Sequence, residues 1–322
     1  MEKLVSVVMS TYNESEKEIK QAIDSILNQT YTHFEFVIIL DNPENAEILK
    51  LLTEYEKVDQ RINLIFNEEN IGLAMSLNKG IQLSKGEIIA RMDADDISDK
   101  DRIKRQMDYL FRNDLDMVSS SCMYINEADE VIGSNQNVFT QPHQVNKILP
   151  LINIIVHPSV IIKKAVIDDV GGYRNFKVAQ DYDLWLRLVT AHYKIGIINE
   201  PLISYRIRKE SNSRKDKYKQ FLIDKYQKQL YKQRLEKGTD DFSVENLEEF
   251  MKAHGYYDGK NRNTFNLAYE TFQNAMELLR KGNVMIGIKQ LFKANTKHKY
   301  ILELTKRFIL FNMMKKFFRF NR

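Results

Sequence analysis

The sequence predicts an α/β domain with a mostly parallel, mixed sheet, followed by an α-helical C-terminal domain. Short apolar runs alternate with amphipathic stretches through the first half, the pattern of strands interleaved with helices. After Tyr205 the pattern turns almost wholly helical, with no run of alternating β-branched residues. The 322 residues are 43% hydrophobic and 29% charged, a globular composition that excludes disordered, collagen-like and disulfide-stapled classes.

In chain order, Leu4–Ser10 reads as a strand and Glu16–Gln29 as a helix with Ile19, Ala22, Ile23, Ile26 and Leu27 on one face. Phe34–Leu40 is an apolar run interrupted by Glu35 alone, as expected of a strand covered on both faces. A helix at Ala46–Lys57, a strand at Ile62–Phe66, a helix at Leu73–Leu83 and a strand at Glu87–Met92 follow. From Asp114 the alternation lapses into shorter strands at Val118–Tyr124, Val131–Ser134 and Val156–Ile162, and helical patterning returns at Asp181–Thr190. A boundary between about 206 and 216 gives residues 1–213 as the α/β domain, with a nucleotide-binding half (1–98) and an acceptor half (99–213). Residues 214–322 form the helical domain.

The chain carries a charge asymmetry. Residues 1–205 hold 21 Lys/Arg against 31 Asp/Glu, whereas residues 206–237 hold 12 against 4 and residues 297–322 hold 8 against 1. A basic back suits an anionic partner: nucleic acid, a phosphorylated ligand or an anionic bilayer. The single cysteine, Cys122, has no partner within the chain, which fits a reducing, cytoplasmic setting. No apolar run reaches the roughly 18 residues of a spanning helix, and Leu4–Met9 is too short for a signal-peptide core.

In open sheets ligands bind beyond the carboxyl ends of the strands. The residues there are Ser10-Thr11-Tyr12-Asn13, Asp41-Asn42, Asn67 to Gly72 and Asp93-Ala94-Asp95-Asp96. Asp93 and Asp95, at i and i+2 after a strand, project to one side in extended backbone and suit one hard divalent cation, Mn²⁺ or Mg²⁺. A calcium loop is excluded, because the glycine and the glutamate it requires are replaced by Ser98 and Lys104. The alternative is a solvated acidic loop whose Ser98 caps the next helix. Gln180-Asp181-Tyr182-Asp183 opens an amphipathic helix, and Asp181 is a candidate general base. Helix-start donors favour its ionised form, whereas neighbouring acids oppose it.

Taken together, these elements resemble a family 2 glycosyltransferase of the GT-A (Rossmann-like) fold over residues 3 to about 213. The matching segments are Val7 to Asn13, Ser25 to Thr30, Asn70-Ile71-Gly72-Leu73-Ala74, Ala90 to Asp96, His157-Pro158-Ser159, Gly171-Gly172-Tyr173 and Gln180 to Asp183. The resemblance implies transfer of a sugar, with inversion, from a nucleotide diphosphate sugar to a hydroxyl. Ser10, Tyr12, Asp41, Asn70 and Gly72 would line the nucleotide site, Asp93 and Asp95 would hold the metal, and Asp181 would be the base. Three positions depart from the family pattern: Asn42-Pro43 after Asp41, Gln180 in place of a glutamate, and Arg208 where many members carry a histidine. Arg208 is then a candidate for binding the diphosphate directly. His157 reads as a hydrogen-bonded residue at the base of the cleft, and Trp185 as core.

Residues 297–322 interleave aromatics with cations. At 100° per residue Lys299, Lys306 and Arg307 oppose Ile301, Leu304, Phe308 and Phe311, but Lys315, Lys316 and Arg319 fall on the apolar side. Either the helix breaks near Asn312 or its cations snorkel from a bilayer surface. The expectation is a UDP-sugar-dependent hexosyl- or N-acetylhexosaminyltransferase acting on a lipid-linked oligosaccharide in surface or capsular polysaccharide synthesis. It would be cytoplasmic and peripheral on the inner face of the membrane, and would not bind nucleic acid. The rival readings are a sugar nucleotidyltransferase, against which the glycine-free Ser10 to Glu14 turn speaks, and a non-catalytic nucleotide-binding protein.

Overall fold

A computed structural model describes residues 2–208 and 216–320, with the side chains of 319 and 320 excluded. The expected limit at 213/214 and the last two residues of the tail lie outside the described residues. Contacts divide the chain into two compact units: residues up to Leu149 with Asn153–Arg208, and Pro150–Ile152 with the chain beyond Arg208.

The first unit is built on one nine-stranded sheet. Its strands are β1 (Val5–Thr11), β2 (Phe34–Leu40), β3 (Ile62–Phe66), β4 (Ile88–Asp93), β5 (Ile97–Ser98), β6 (Met117–Ile125), β7 (Val131–Ser134), β8 (Ile161–Lys163) and β9 (Ile195–Arg206). Its helices are α1 (Glu16–Leu27), α2 (Ala46–Val58), α3 (Leu73–Leu83), α4 (Arg102–Arg112), α5 (Pro142–Ile148), α6 (Lys164–Asp169) and α7 (Gln180–Thr190). The spatial order is β3-β2-β1-β4-β8-β6-β9-β5, with β7 paired to β6. β3, β2, β1 and β4 run parallel, β8 is antiparallel to both β4 and β6, and β6 and β9 are parallel again. All seven residues of β2 are buried, so its run, apolar but for Glu35, reflects cover on both faces, and the buried Glu35 carboxylate accepts from Ser6 Oγ and Asn63 Nδ2. Chain order reverses between β1 and β4, and a crevice opens there. Ser10 and Asp93 lie in register across it.

Three local expectations are corrected. The run Val156–Ile162 is not one strand: His157–Ser159 forms a 3₁₀ turn and only Ile161–Lys163 pairs. Pro158 lacks the N–H a ladder needs and forces the turn. Ser98 does not cap α4, since Asp101 holds the cap position and Ser98 pairs with Ile203 of β9. The twelve-residue β9 escapes pattern reading because Asn199-Glu200-Pro201 interrupts its apolar alternation, where the β6 pairing shifts register.

The second unit contains α8 (Lys217–Lys237), α9 (Val244–Ala253), α10 (Gly259–Arg280), α11 (Val284–Lys297) and α12 (Lys299–Phe320). Its core is aromatic: Tyr218 and Phe265 lie 4.7 Å apart, and Phe221 and Tyr300 5.1 Å. The tail does not break near Asn312, because α12 runs unbroken to Phe320. Ile301 and Thr305 are buried and Arg307 is paired with Asp224 and Glu303, so Arg307 does not belong to a free cationic side. Lys299, Leu302, Lys306, Ile309, Met313 and Lys316, at i+3 and i+4 spacing, share the exposed face. Among the described residues no helix is long and apolar enough to cross a membrane.

Candidate functional site

The acidic segment after β4 is a turn rather than extended backbone. Asp93 ends the strand, Ala94 and Asp95 turn, and the Asp96 N–H reaches the Asp93 carbonyl at 3.4 Å. The turn brings in a third acid that spacing alone did not single out. Ligand atoms of Asp93, Asp95 and Asp96 all lie within 4.8 Å of one another. Burial and the charge of Asp93 push the Asp95 carboxyl up to about 7, with Arg208 opposing. Asp96 is fully buried and is also raised well above the carboxylate range, by burial first and then by its two neighbours. One of its oxygens accepts the Arg206 N–H at 2.8 Å, and the other is buried without a hydrogen bond. Crowded carboxylates with an unspent buried oxygen fit a hard divalent cation such as Mn²⁺ or Mg²⁺, whose ligands are oxygens.

Two of the sequence segments brace this turn. Ser25 Oγ accepts the Ser98 N–H at 3.0 Å. Gln29 donates to Ser98 Oγ and the Asp99 carbonyl and accepts the Ile103 N–H at 3.0 Å, fastening the end of α1 to the start of α4. Below lies buried Arg91, which pairs with Asp93. Arg102, also buried, ties the Arg91 carbonyl at 3.1 Å to the Pro158 carbonyl at 2.6 Å. Ser159 Oγ bonds Ser119 Oγ at 2.7 Å and accepts the Ser120 N–H at 3.0 Å, seating the His157 turn against β6.

Asp181 stands in the first turn of α7, after Ala179 in the left-handed region at φ 57°. Burial raises its carboxyl above the ordinary range. The Asn153 amide, donating at 3.1 Å, opposes that shift first, followed by helix-start N–H groups and Arg91. Desolvation therefore outweighs the donors. Asp183 is fully buried and bound to Arg187 at 2.9 Å, so it is closed off as an alternative base. His157 Nε2 meets the Tyr173 hydroxyl at 2.8 Å, and burial holds the imidazole well below its usual pKa and thus neutral. Trp185 is core, at 0% exposure. Gly172, at φ 70°, sits where a Cβ would lie 2.7 Å from Asn78 Oδ1, and this close approach lets Asn78 clasp the backbone of Tyr173 from both sides. Tyr173 and Arg91 both interact electrostatically with Asp93 and Asp181, which links the two acidic centres.

Along the other strand ends, Asp41 accepts from Asn67 Nδ2 (2.8 Å), the Ile71 N–H (3.0 Å) and the Gly72 N–H (2.9 Å). Its oxygens thereby shape the Asn70–Gly72 turn that opens α3, where Gly72 takes φ 81°. Tyr12 and Asn70 are exposed, and Asn42 holds the Tyr12 turn through the Tyr12 carbonyl at 3.1 Å. Arg206 is buried and donates to the Asp95 and Asn126 carbonyls, Asp129 and Gln21. Arg208 lies two residues further, 3.0 Å from Asp95 Oδ2 and 3.2 Å from Glu18 Oε2. Arg91, Asp96, Arg206, Glu18 and Asn153 are the contributors that spacing did not single out. Only the arginine and the third acid of the Ala90 to Asp96 segment carried a signal.

A mixed α/β sheet, parallel through β3-β2-β1-β4, carries its acid cluster at the switch point where open α/β sheets bind ligands. Residues 6–171 match the family described as Glycosyl transferase family 2, and the chain belongs to that family. Membership displaces the sugar nucleotidyltransferase alternative. The chain is 38% identical over 210 residues to an uncharacterized glycosyltransferase of Methanocaldococcus jannaschii, covering 65% of this chain and 72% of that one. It is 37% identical over 213 residues to the O-antigen biosynthesis glycosyltransferase WbnJ of Escherichia coli, covering 66% and 82%. The fold is similar to that of S. aureus TarS 1–349 in complex with UDP-GlcNAc: TM-score 0.59 at 18% identity, over 81% of this chain and 75% of that one.

Proposed function

We propose that this glycosyltransferase moves a hexose or N-acetylhexosamine from a UDP-linked donor, with inversion, to a hydroxyl of a lipid-linked oligosaccharide in surface polysaccharide synthesis. The observation that carries the reading is the pairing of two acidic centres through Arg91 and Tyr173: a three-carboxylate turn suited to a cation, and a single desolvated carboxylate, Asp181. The WbnJ likeness and the UDP-GlcNAc of the TarS complex support the pathway class and the donor nucleotide.

Asp93 and Asp95, with Asp96 beside them, would hold Mn²⁺ or Mg²⁺, which when bound stabilises charge on the leaving diphosphate. Ser10, Tyr12, Asp41, Asn70 and Gly72 border the crevice for the uridine, with Asp41 acting through the turn it holds. Asp181 takes the proton of the acceptor hydroxyl as its oxygen bonds to the anomeric carbon and the sugar–phosphate bond breaks, a single displacement that inverts the centre.

The exposed face of α12 supports peripheral binding to an anionic bilayer, because lysines alternate there with Leu302, Ile309, Met313 and Phe317. Residues 278–302 hold six Lys/Arg and no Asp/Glu, and Met285 and Phe292 of α11 are 87% and 72% exposed.

A panel of UDP-, dTDP- and GDP-sugars assayed with Mn²⁺ tests the donor, and the anomeric coupling constant of the product tests inversion. Turnover is expected with a UDP-sugar and a β-linked product from an α-linked donor. Turnover confined to another nucleotide overturns the donor assignment, and a retained configuration overturns the mechanism. Sedimentation with phosphatidylglycerol vesicles at low salt tests the tail face, and failure of the full chain to sediment overturns the membrane reading.

A further inference from the structure

Arg208 stands where a cation would work. Its Nε lies 3.0 Å from Asp95 Oδ2, and its Nη2 lies 3.2 Å from Glu18 Oε2. Both nitrogens are buried, yet neither makes a hydrogen bond of proper geometry. Buried guanidinium N–H groups left in this condition favour any partner with better-placed acceptors, and a diphosphate offers charge-assisted, bidentate acceptance. Arg206, by contrast, closes β9 with hydrogen bonds to four residues around it and cannot leave without breaking them. Arg208 lies past the last paired residue of that strand, so a fixed anchor carries a side chain bound only by charge.

We propose that Arg208 is a built-in counter-ion of the cation site: in the free enzyme it masks Asp95, and the incoming diphosphate draws it away and frees that carboxylate for the metal. Pairing of Asp95 with Arg208 competes with coordination of a cation by the same oxygen, because the guanidinium charge repels the cation. Diphosphate and cation are therefore coupled through Arg208 as well as through direct chelation, and the coupling is reciprocal. The diphosphate half of this inference rests on the function proposed above. The masking half rests on the two ion pairs alone.

The test measures Mn²⁺ binding to the full chain without nucleotide, by titration calorimetry and by the EPR signal of free Mn²⁺. Arg208→Gln is expected to bind Mn²⁺ about 10-fold more tightly than the parent, toward the lower end of the usual coupling range. Lys17→Gln removes a nearby exposed cation that pairs with Asp129, and its Mn²⁺ affinity is expected to stay within about two-fold of the parent. That control separates masking from a general change of field. Metal-free UDP affinity is expected to fall in Arg208→Gln. Should that variant unfold, Arg208→Lys serves instead, since it puts one ammonium nitrogen in place of the two guanidinium nitrogens that meet Asp95 and Glu18, and a gain of about three-fold is expected. Mn²⁺ affinity unchanged or weakened in the folded Arg208 variants overturns the masking. If no uridine nucleotide binds parent or variant, the donor assignment fails while the Mn²⁺ comparison still decides the counter-ion role.

Discussion

The chain carries the pattern Asp-x-Asp at the end of β4 and again at the start of α7, and the fold uses the two in opposite ways. Asp93 and Asp95 flank a turn, where positions i and i+2 converge, and their ligand atoms meet with that of Asp96 within 4.8 Å. Asp181 and Asp183 sit on a helix, where two residues of advance is a rotation of about 200°. One therefore reaches the crevice beside Asn153, and the other enters the core to bind Arg187. The lesson is that spacing specifies chemistry only once backbone geometry is known. The same spacing gives a cluster of carboxylates in one place, and in the other one carboxylate beside Asn153 and one bound to Arg187.

That contrast can be broken from both ends. The largest effect is expected at Asp181→Asn, which keeps the size and the helix start but removes the proton acceptor. Transfer is expected to slow by about 10² or more with UDP affinity held within a few-fold, read as a loss in kcat at unchanged KM for the donor. Near-normal transfer would remove Asp181 from the role, and the burial of Asp183 means the substitute would have to come from elsewhere. Asp183→Asn is expected to act on stability instead. It leaves Arg187 buried without its charge partner, a loss of about 3 kcal/mol, measurable as a lowered denaturant midpoint with per-molecule turnover of the folded fraction retained.

The finest test uses pH. Because burial raises the Asp181 carboxyl, the acid limb of kcat/KM is expected above the ordinary carboxylate value of about 4. Activity should fall as pH drops through that raised value, since the base must be ionised. Asn153→Ala removes a donor that favours the ionised form, so the limb should move to higher pH while the alkaline plateau holds. A limb that stays in place, or moves down, would show that Asn153 does not tune the base.

Much of the first unit was legible because its signals are local. Phe34–Leu40 is apolar but for Glu35 since it is covered on both faces, and the limits of β2, β3 and α3 follow from local patterning alone. The elements that pattern reading missed depend on distant partners. β9 is recognisable as a strand only beside β6, which absorbs its Pro201 interruption through a register shift. Ser25 and Gln29 read as the end of a helix, although their hydrogen bonds go to Ser98, Asp99 and Ile103, some 70 residues away. In the tail, periodicity located an amphipathic helix but chose Arg307 as a free cation, because nothing local announces that Asp224 lies against it.

The sequence by itself determined the alternation that makes the sheet, the polar residues placed after its strands, the helical character of everything beyond Tyr205 and the acids that carry the chemistry. Those properties follow from side-chain periodicity and turn chemistry, which act over a few residues. Tertiary structure alone decided which acid is spent and which is poised. Asp96 joins Asp93 and Asp95 because a turn folds it inward, Asp41 is consumed in holding Gly72, and Asp181 is desolvated where Asp183 is neutralised. Each outcome is set by the dielectric and the partners that surround a carboxylate, and those are supplied by strands and helices far away along the chain.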